Sequence, residues 1–389
     1  METKNNHQVP LWSLSFLFVT LSNALLFMVF EMMLPTLPLF VVSVGGSANQ
    51  VGLVTGIFML SAILIRPFAG ILAQKIDKKY LLIIGLIISS LCTGLYYLSS
   101  DIWMILLFRL IHGAGFGLAT TYFATIAAEN IPVKRRGEGM GYFGVGETIA
   151  ISVGPLIGIA ALQTFGYKTL FLGGMCVSFL SILMALFIKR RGKNSKEHNN
   201  NVTRFKLIER KVLIPSLLML LIGVAASSVM SFVALYAVEY EFNYVGWFFF
   251  IVAIASFLVR LVSGKVFDRR GPGYVLVPSA ILGIIGFLVL YLANTDLVFL
   301  LAAVFYGSGF GAIFPAIQTW CINLVEEHEH ENAMASFFNF FDLGIGGGSI
   351  LFGFVATIYS YQTLYLIAGL TYVLFIFVYS VYSYNKKIN

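Results

Sequence analysis

Long apolar runs recur along almost the whole sequence, and they constrain its fold more than any other feature. Runs long enough to cross a bilayer, about 20 residues each, occur about twelve times between Leu11 and Tyr382. The connections between them are mostly too short to hold a soluble domain. Hydrophobic residues make up 59% of the 389 residues and charged residues only 11%, which excludes an ordinary soluble protein. The sequence predicts an all-α integral membrane protein.

Two similar stretches show that the chain contains an internal repeat. Arg66 and Gly70 lead into a charged turn after the second apolar run, and Arg260 and Gly264 lead into a similar turn later. One offset relates both pairs (260 − 66 = 194; 264 − 70 = 194). The same offset relates two pairs of glycines, Gly113 and Gly117 with Gly307 and Gly311. Such a fixed spacing predicts two pseudo-symmetric bundles of six helices each.

The division between the bundles falls in a polar and basic stretch that lacks an apolar run. This composition is typical of a flexible linker. We therefore expect an N-terminal bundle at residues 1–190, a cytoplasmic linker at 191–211 and a C-terminal bundle at 212–389.

Basic residues concentrate on one side of the predicted membrane topology, in the loops after spans two, four, six and eight and in the Lys386-Lys387 tail. Because such loops stay in the cytoplasm, we expect both termini to be cytoplasmic and the protein to lie in the inner cell membrane. The net charge of +7 follows from this loop bias, so no nucleic-acid partner is expected. A solvated loop explains the acidic, histidine-containing stretch 326–331 better than a metal site does.

Three carboxylates lie well inside apolar runs, where a charge costs about 3 kcal/mol on insertion scales. They are Glu31, Glu147 and Asp342. Burial raises a carboxyl pKa and an adjacent cation lowers it, so such a group can take up and release a proton within one conformational cycle. The alternative for each of the three is a structural hydrogen bond or ion pair.

A cation and a histidine share one helical face in the fourth run. Arg109 and His112 are three residues apart. A guanidinium stays charged at any working pH, and inside a bilayer it must face protein or a water-filled cavity. A fixed ion pair between helices is the alternative for Arg109, and a satisfied structural side chain is the alternative for His112.

The second charged turn carries a family signature. From Gly264 through Asp268 and Arg269 to Gly271, the sequence matches the pattern G-x-x-x-D-R-x-G. Here the chain resembles the major facilitator superfamily, and within it the twelve-helix drug:proton antiporters. The resemblance covers essentially the whole chain and implies the fold of that family.

At the first turn the signature is incomplete. After Gly70, Gln74 stands where the family has Asp, Lys75 where it has Arg, and Asp77 where it has Gly. The resemblance implies that these turns contact neighbouring helix ends and stabilise one transport conformation, with Asp77 as the substitute acid in the first half. A basic anchor with a packing glycine is the alternative.

Two further motifs resemble those of the family. Arg109 with Gly113 is similar to the fourth-helix motif R-x-x-x-G, which implies that Arg109 favours the ionised form of a nearby carboxylate. Glu31 occupies a position similar to that of acidic first-helix residues in several family antiporters. A glycine–proline pattern in the fifth run resembles the exporter signature, with close helix packing as its alternative: Gly146, Gly154, Pro155 and Gly158.

As an expectation from this resemblance, a monomer exports small amphipathic molecules such as drugs or antibiotics through alternating access, driven by protons entering. Aromatic and amide side chains in the spans are candidates for a cargo cavity: Tyr122, Trp247, Phe248, Gln318, Trp320 and Asn339. A dedicated exporter of an endogenous metabolite, such as a metallophore, is one rival. A proton-coupled importer is a second rival, which the glycine–proline pattern weighs against, and a membrane-embedded enzyme or non-transporting receptor is a third.

An enzyme is not expected, because the sequence has no nucleophile–base constellation and no clustered metal ligands. It also lacks the phosphate-binding pattern G-x-x-x-x-G-K-[ST]. We therefore expect no metal, nucleotide or other cofactor, and the expected partners are cargo, protons and the lipid bilayer.

Overall fold

Helices account for nearly all of the part of the chain that the structure describes. The computed structural model describes residues 12–132, 135–189, 209–326 and 329–388. Within these ranges it has eleven helices that are long and apolar enough to cross a membrane and no strands. In chain order they are α1 (Leu14–Ser43), α2 (Ala48–Lys75), α3 (Lys78–Leu95), α4 (Ile102–Asn130), α5 (Arg136–Leu186), α6 (Leu213–Glu239), α7 (Val245–Arg270), α8 (Gly273–Tyr291), α9 (Asp296–Asn323), α10 (His330–Ile358) and α11 (Tyr361–Ile388).

A single glycine divides α5 into two spans. The helix runs for 51 residues, but Gly166 has φ 76° and ψ 176°, outside the helical region. A residue without a Cβ adopts this conformation readily, so the chain reverses there without a loop. Both parts, 136–165 and 167–186, are long enough to cross a bilayer at about 20 residues per span. With α5 counted as two, the described chain has twelve spans, which confirms the expectation from the apolar runs.

Helix packing follows the same 194-residue repeat as the sequence. Gly113 on α4 lies against the backbone carbonyl of Phe58 on α2. A Cβ at Gly307 on α9 would lie 2.7 Å from the carbonyl oxygen of Val252 on α7. Since 58 + 194 = 252 and 113 + 194 = 307, both crossings use the same register, and glycine permits the close approach in each. We call α1–α5 the first half and α6–α11 the second half.

The two halves meet along two interfaces that the repeat makes equivalent, α2 with α10 and α7 with α5. They are not equally close. A Cβ at Gly52 on α2 would lie 3.1 Å from the Cα of Ile350 and would overlap the carbonyl of Ser349. A Cβ at the equivalent Gly246 on α7 would find its nearest neighbours, Leu156 and Ile159 of α5, at 3.6 Å. The α2–α10 interface is therefore the tighter of the two.

An even number of spans places residues 12 and 388 on the same side of the bilayer, which we call the terminal side. The opposite face is the far side. On the far side the halves are in contact, because the backbone N–H of Asn49 at the start of α2 donates to Thr357 Oγ1 near the end of α10 (3.1 Å). Deeper in the span, the hydroxyl of Ser231 on α6 lies 3.2 Å from that of Thr55 on α2 and 3.1 Å from that of Ser349 on α10.

The connection between the halves is described only in part. Residues 190–208, which include most of the predicted linker, lie outside the described residues, so the boundaries at 190 and 212 remain predictions. At its end, Lys211 Nζ donates to Glu329 Oε2 (2.6 Å), and the Glu209 N–H donates to Ser336 Oγ (2.7 Å). These bonds fasten the start of α6 to the start of α10.

Candidate functional site

One arginine of the first half reaches into the second half. The Arg66 guanidinium on α2 donates through Nη2 to Asp342 Oδ2 and through Nη1 to Asn339 Oδ1, both at 2.7 Å. Asn339 and Asp342 are three residues apart on α10 and so share one face of that helix. We call these three residues the inter-half cluster. Sequence reasoning assigned them three separate roles, and the structure brings them together.

The two charged side chains of the cluster are mostly buried but keep a small exposed fraction. The Arg66 and Asp342 side chains are 16% and 15% exposed. Charged side chains inside a membrane usually pair with one another. Here Arg66 and Asp342 form such a pair, and Arg66 makes a second hydrogen bond to Asn339. Along α2, Arg66 lies eleven residues beyond Thr55 toward the terminal side. The cluster therefore joins the halves on the terminal side of the hydroxyl contacts.

Glu31 lies where α1 packs on the glycine–proline motif of α5. Its side chain is 5% exposed, and a Cβ at Gly154 would lie 2.5 Å from the Glu31 Cβ. Gly158 lies equally close to the backbone of Met32, and Pro155 between them is buried. Within the described chain, no hydrogen bond or ion pair engages the Glu31 carboxylate. The motif therefore sets how closely α5 approaches a carboxylate that has no fixed partner.

Glu147 lies on the same α1–α5 seam, nearer the terminal side. Asn23 on α1 donates from Nδ2 to Glu147 Oε1 (2.9 Å). Asn23 is 1% exposed, whereas Glu147 is half-buried. A Cβ at the adjacent Gly146 would lie 2.8 Å from the Ala24 Cβ, so this glycine also allows close packing. In this conformation Glu147 takes part in a hydrogen bond within its own half.

Arg109 is 2% exposed and lies inside the first half. Its guanidinium carbon is 4.3 Å from the centre of the Phe58 ring, and Nε donates to the Val54 carbonyl (3.3 Å). Among the described residues, its Nη1 has no hydrogen-bond partner, and no carboxylate forms an ion pair with Arg109. His112 has a partner, since Nδ1 lies 2.8 Å from the Tyr96 hydroxyl. The carboxylate expected beside Arg109 is thus not among its contacts here.

The first charged turn is built around helix ends. Gly70 lies within α2, and Lys75 is the exposed last residue of that helix. Asp77 caps α3 by accepting the Lys79 N–H (2.8 Å), so its carboxylate serves the helix start rather than an ion pair with an arginine. The neighbouring Lys78 pairs with Glu129 at the end of α4.

The second charged turn differs in what its residues contact. Gly264 faces open space, and Asp268 and Arg269 are exposed. Gly271 ends α7 with φ 85°, a conformation that favours glycine. Arg260, the counterpart of Arg66, donates from Nε to the carbonyl oxygen of Gly311 in its own half (3.1 Å).

The cargo-cavity candidates fall in different environments. Asn339 belongs to the inter-half cluster. Tyr122 is buried and donates from its hydroxyl to the Ala69 carbonyl (2.6 Å), and Phe248 and Trp320 are buried in the second half. Gln318 is half-buried, whereas Trp247 is 56% exposed. A cavity role remains a prediction for all six.

The described residues contain no group of three or more His, Cys, Asp or Glu side chains that could hold a metal ion. The positions 327–328 of the acidic stretch lie outside that part. What the geometry offers instead is a set of buried or half-buried carboxylates and an ion pair between the two halves.

The sequence pattern of the Major Facilitator Superfamily matches residues 19–349 and 242–387. The chain belongs to the Major Facilitator Superfamily. This confirms the family expected from the charged turns, and the structure confirms its all-helical membrane fold. The protein is therefore a multi-pass membrane transporter of small molecules.

Two relatives match this chain over most of their length. The chain is 26% identical over 374 residues to "Multidrug resistance protein MdtG" of Rahnella sp., covering 92% of this chain and 90% of that protein. It is 22% identical over 342 residues to "Uncharacterized MFS-type transporter MJ1560" of Methanocaldococcus jannaschii, covering 85% and 88%.

Solved structures share the fold at low sequence identity. The nucleoside transporter NupG superposes with a TM-score of 0.74 at 17% identity, over 94% of this chain and 98% of that one. A bacterial homolog of the human lysosomal transporter Spinster, in an inward-facing and unoccupied conformation, gives a TM-score of 0.72 at 15% identity, over 94% of each chain. At these identities the likeness shows the fold alone.

Proposed function

We propose that this transporter exports small amphipathic molecules, including drugs and antibiotics, in exchange for protons that enter the cell. The observation that carries the proposal is the inter-half cluster, in which a carboxylate of one half is paired with an arginine of the other. The name of the Rahnella relative, which covers most of both chains, supports multidrug export as the class of cargo.

The cluster couples the charge of Asp342 to contact between the halves. A guanidinium is effectively always charged in proteins, so the strength of the pair depends on whether Asp342 carries a proton. A proton that reaches Asp342 weakens the pair and lets the halves separate on the terminal side. Loss of that proton restores the pair. A ligand shifts such an equilibrium only by its differential affinity for the two conformations. The proton has a differential affinity here, because it binds Asp342 more readily when the pair with Arg66 is broken.

The direction of exchange follows from the side to which Asp342 is exposed in each conformation. With the terminal side in the cytoplasm, a proton enters from the far side while the pair holds the terminal side closed. It leaves to the cytoplasm after the halves have separated there. Cargo binds in the same inward-open conformation and is carried out as the pair forms again. Rocking of two bundles around a central site is how the family achieves alternating access.

Glu31 is a second proton-carrying candidate in this scheme. It is buried, has no fixed partner within the described chain, and packs against the Gly154 backbone, so motion of α5 changes its surroundings. We assign the inner membrane as the location, with the termini in the cytoplasm, because the basic loops lie on the terminal side.

The experiment uses purified protein in liposomes with an imposed pH gradient and an internal pH dye. Hydrophobic cations, neutral antibiotics and zwitterionic metabolites are added one at a time. We expect proton flux that depends on cargo and extends over several chemical types. Asp342→Asn and Glu31→Gln should be produced normally but lose the flux, because an amide cannot release a proton. Glu239→Gln, an exposed far-side residue, serves as the control.

The alternatives give different outcomes in the same assay. Flux with one polar metabolite only would identify a dedicated exporter. Cargo and protons that move in the same direction would identify an importer. If both amide variants kept full gradient-driven export, neither carboxylate would carry the coupling proton.

A further inference from the structure

The internal repeat places a carboxylate within one residue of the expected partner position of Arg260, and Arg260 does not contact it in this structure. Arg260 occupies on α7 the position that Arg66 occupies on α2. By the same offset, the α10 position of Asp342 corresponds to residue 148 of α5 (342 − 194 = 148). Glu147 is the adjacent residue and carries the carboxylate.

Helix geometry places the two side chains at similar depth. Near the far side, Gly246 of α7 lies against both Leu156 and Ile159 of α5. Arg260 is 14 residues further along α7, about 21 Å, and Glu147 is 9 to 12 residues back along α5, about 14–18 Å, at 1.5 Å per residue. The two helices run in opposite directions, so both counts lead toward the terminal side. The difference of about 3–8 Å is within the combined reach of an arginine and a glutamate side chain.

Arg260 is incompletely bonded here. Its Nε donates to a backbone carbonyl, no carboxylate of the described residues pairs with it, and it is half-buried. A guanidinium has five N–H donors in a fork that matches a carboxylate, and a cation at membrane depth is stabilised by such a partner. Arg66 has one, and Arg260 stands beside the looser of the two equivalent interfaces.

We propose that Glu147 leaves Asn23 and pairs with Arg260 when α5 and α7 close on the terminal side. The transporter then has two ion pairs between its halves, related by the repeat to within one residue: Arg66–Asp342 across α2 and α10, and Arg260–Glu147 across α5 and α7. The second pair forms only in the conformation that is open to the far side. This rests on the proposed alternating-access function.

A charge exchange tests the pair in the full-length protein. Glu147→Arg and Arg260→Glu should each lower cargo-driven transport at least tenfold, since each puts two like charges together. The double variant should recover transport to within about threefold of the unmodified protein. As a matched control, Glu147→Arg is combined with Lys265→Glu. Lys265 is exposed and lies on α7, like Arg260, so this double variant should recover no transport. A double variant no more active than its worse single variant would overturn the proposal.

Cysteine cross-linking tests the same pair without a transport assay and without charge-reversed variants. Glu147→Cys with Arg260→Cys is introduced where the three native cysteines have been replaced, and a short bifunctional thiol reagent is applied to membranes. Arg66→Cys with Asp342→Cys is the positive control. We expect both pairs to cross-link, as identified by mass spectrometry. If only the control pair cross-links, the Arg260–Glu147 pair is refuted and the proposed function still stands. If liposomes show no transport of any cargo, the function fails whichever pairs cross-link.

Discussion

Asp342→Asn is expected to loosen the contact between the two halves without unfolding either. The asparagine keeps the shape of the side chain and an acceptor oxygen for Arg66, but it removes the charge. In the structure this charge is 2.7 Å from Arg66 Nη2 and about 15% exposed. The terminal-side ends of the halves should therefore move apart more often.

The magnitude follows from the depth of the pair. Two unit charges about 4 Å apart attract by about 4 kcal/mol at an effective dielectric constant of about 20. Removing both charges from water offsets much of this attraction, and the exposed fraction offsets more, which leaves about 1–3 kcal/mol. The conformational equilibrium should shift by about 5- to 150-fold. Asn339→Ala removes only a neutral acceptor and should shift it less.

Distances between spin labels measure this shift. Labels at Ile76→Cys and Asn323→Cys, exposed at the terminal-side ends of α2 and α9, report the separation of the halves once native cysteines are replaced. The distance distribution of the Asp342→Asn protein should gain weight at long distances, whereas Glu239→Gln should leave it unchanged. An unchanged distribution in folded Asp342→Asn protein would falsify the idea that this pair holds the halves together.

Three further substitutions test the packing. Gly307→Ala should lower the thermal stability in detergent, since overpacking against Val252 costs about 1–3 kcal/mol, whereas Gly173→Ala, which faces open space, should leave it unchanged or raise it; equal effects would contradict the close crossing. Lys79→Met removes hydrogen bonds of 2.6 and 2.7 Å to the carbonyl oxygens of Leu186, the last residue of α5, and Ile188 just beyond it. It should cost about 0.3–1 kcal/mol, measured as faster proteolysis at that helix end. Tyr122→Phe removes a hydrogen bond between α4 and α2 and should cost about 0.6 kcal/mol. It should lower the melting temperature by less than Gly307→Ala does.

Much of the fold could be predicted from the sequence because membrane spans leave a direct record in composition. The apolar runs predicted twelve spans, and the structure has them. The 194-residue offset predicted equivalent halves, and Gly113 and Gly307 occupy equivalent crossings in the structure. Both signals are local or periodic, so one sequence is enough to read them.

The inter-half cluster was not predicted as a unit. Arg66 was grouped with the charged turn, Asp342 with the proton carriers and Asn339 with the cavity. A signal was available: Arg66 lies inside an apolar run and needs a partner, and Asn339 and Asp342 share a helical face. Which carboxylate meets which cation depends on how two distant helices are rotated against each other. The bond between Asn23 and Glu147 depends on the same rotation, and no spacing in the sequence encodes it.

The single-residue reversal at Gly166 is part of a wider pattern on the far side. Every far-side connection between described helices has at most six residues. An antibody or engineered binding protein approaching from that side would meet clustered helix ends instead of loops. In this structure the ends of α2 and α10 touch, so a binder that covers both would recognise one conformation and hold it. Such a reagent would report transport by its rate of release, and it would inhibit transport from the far side of the membrane.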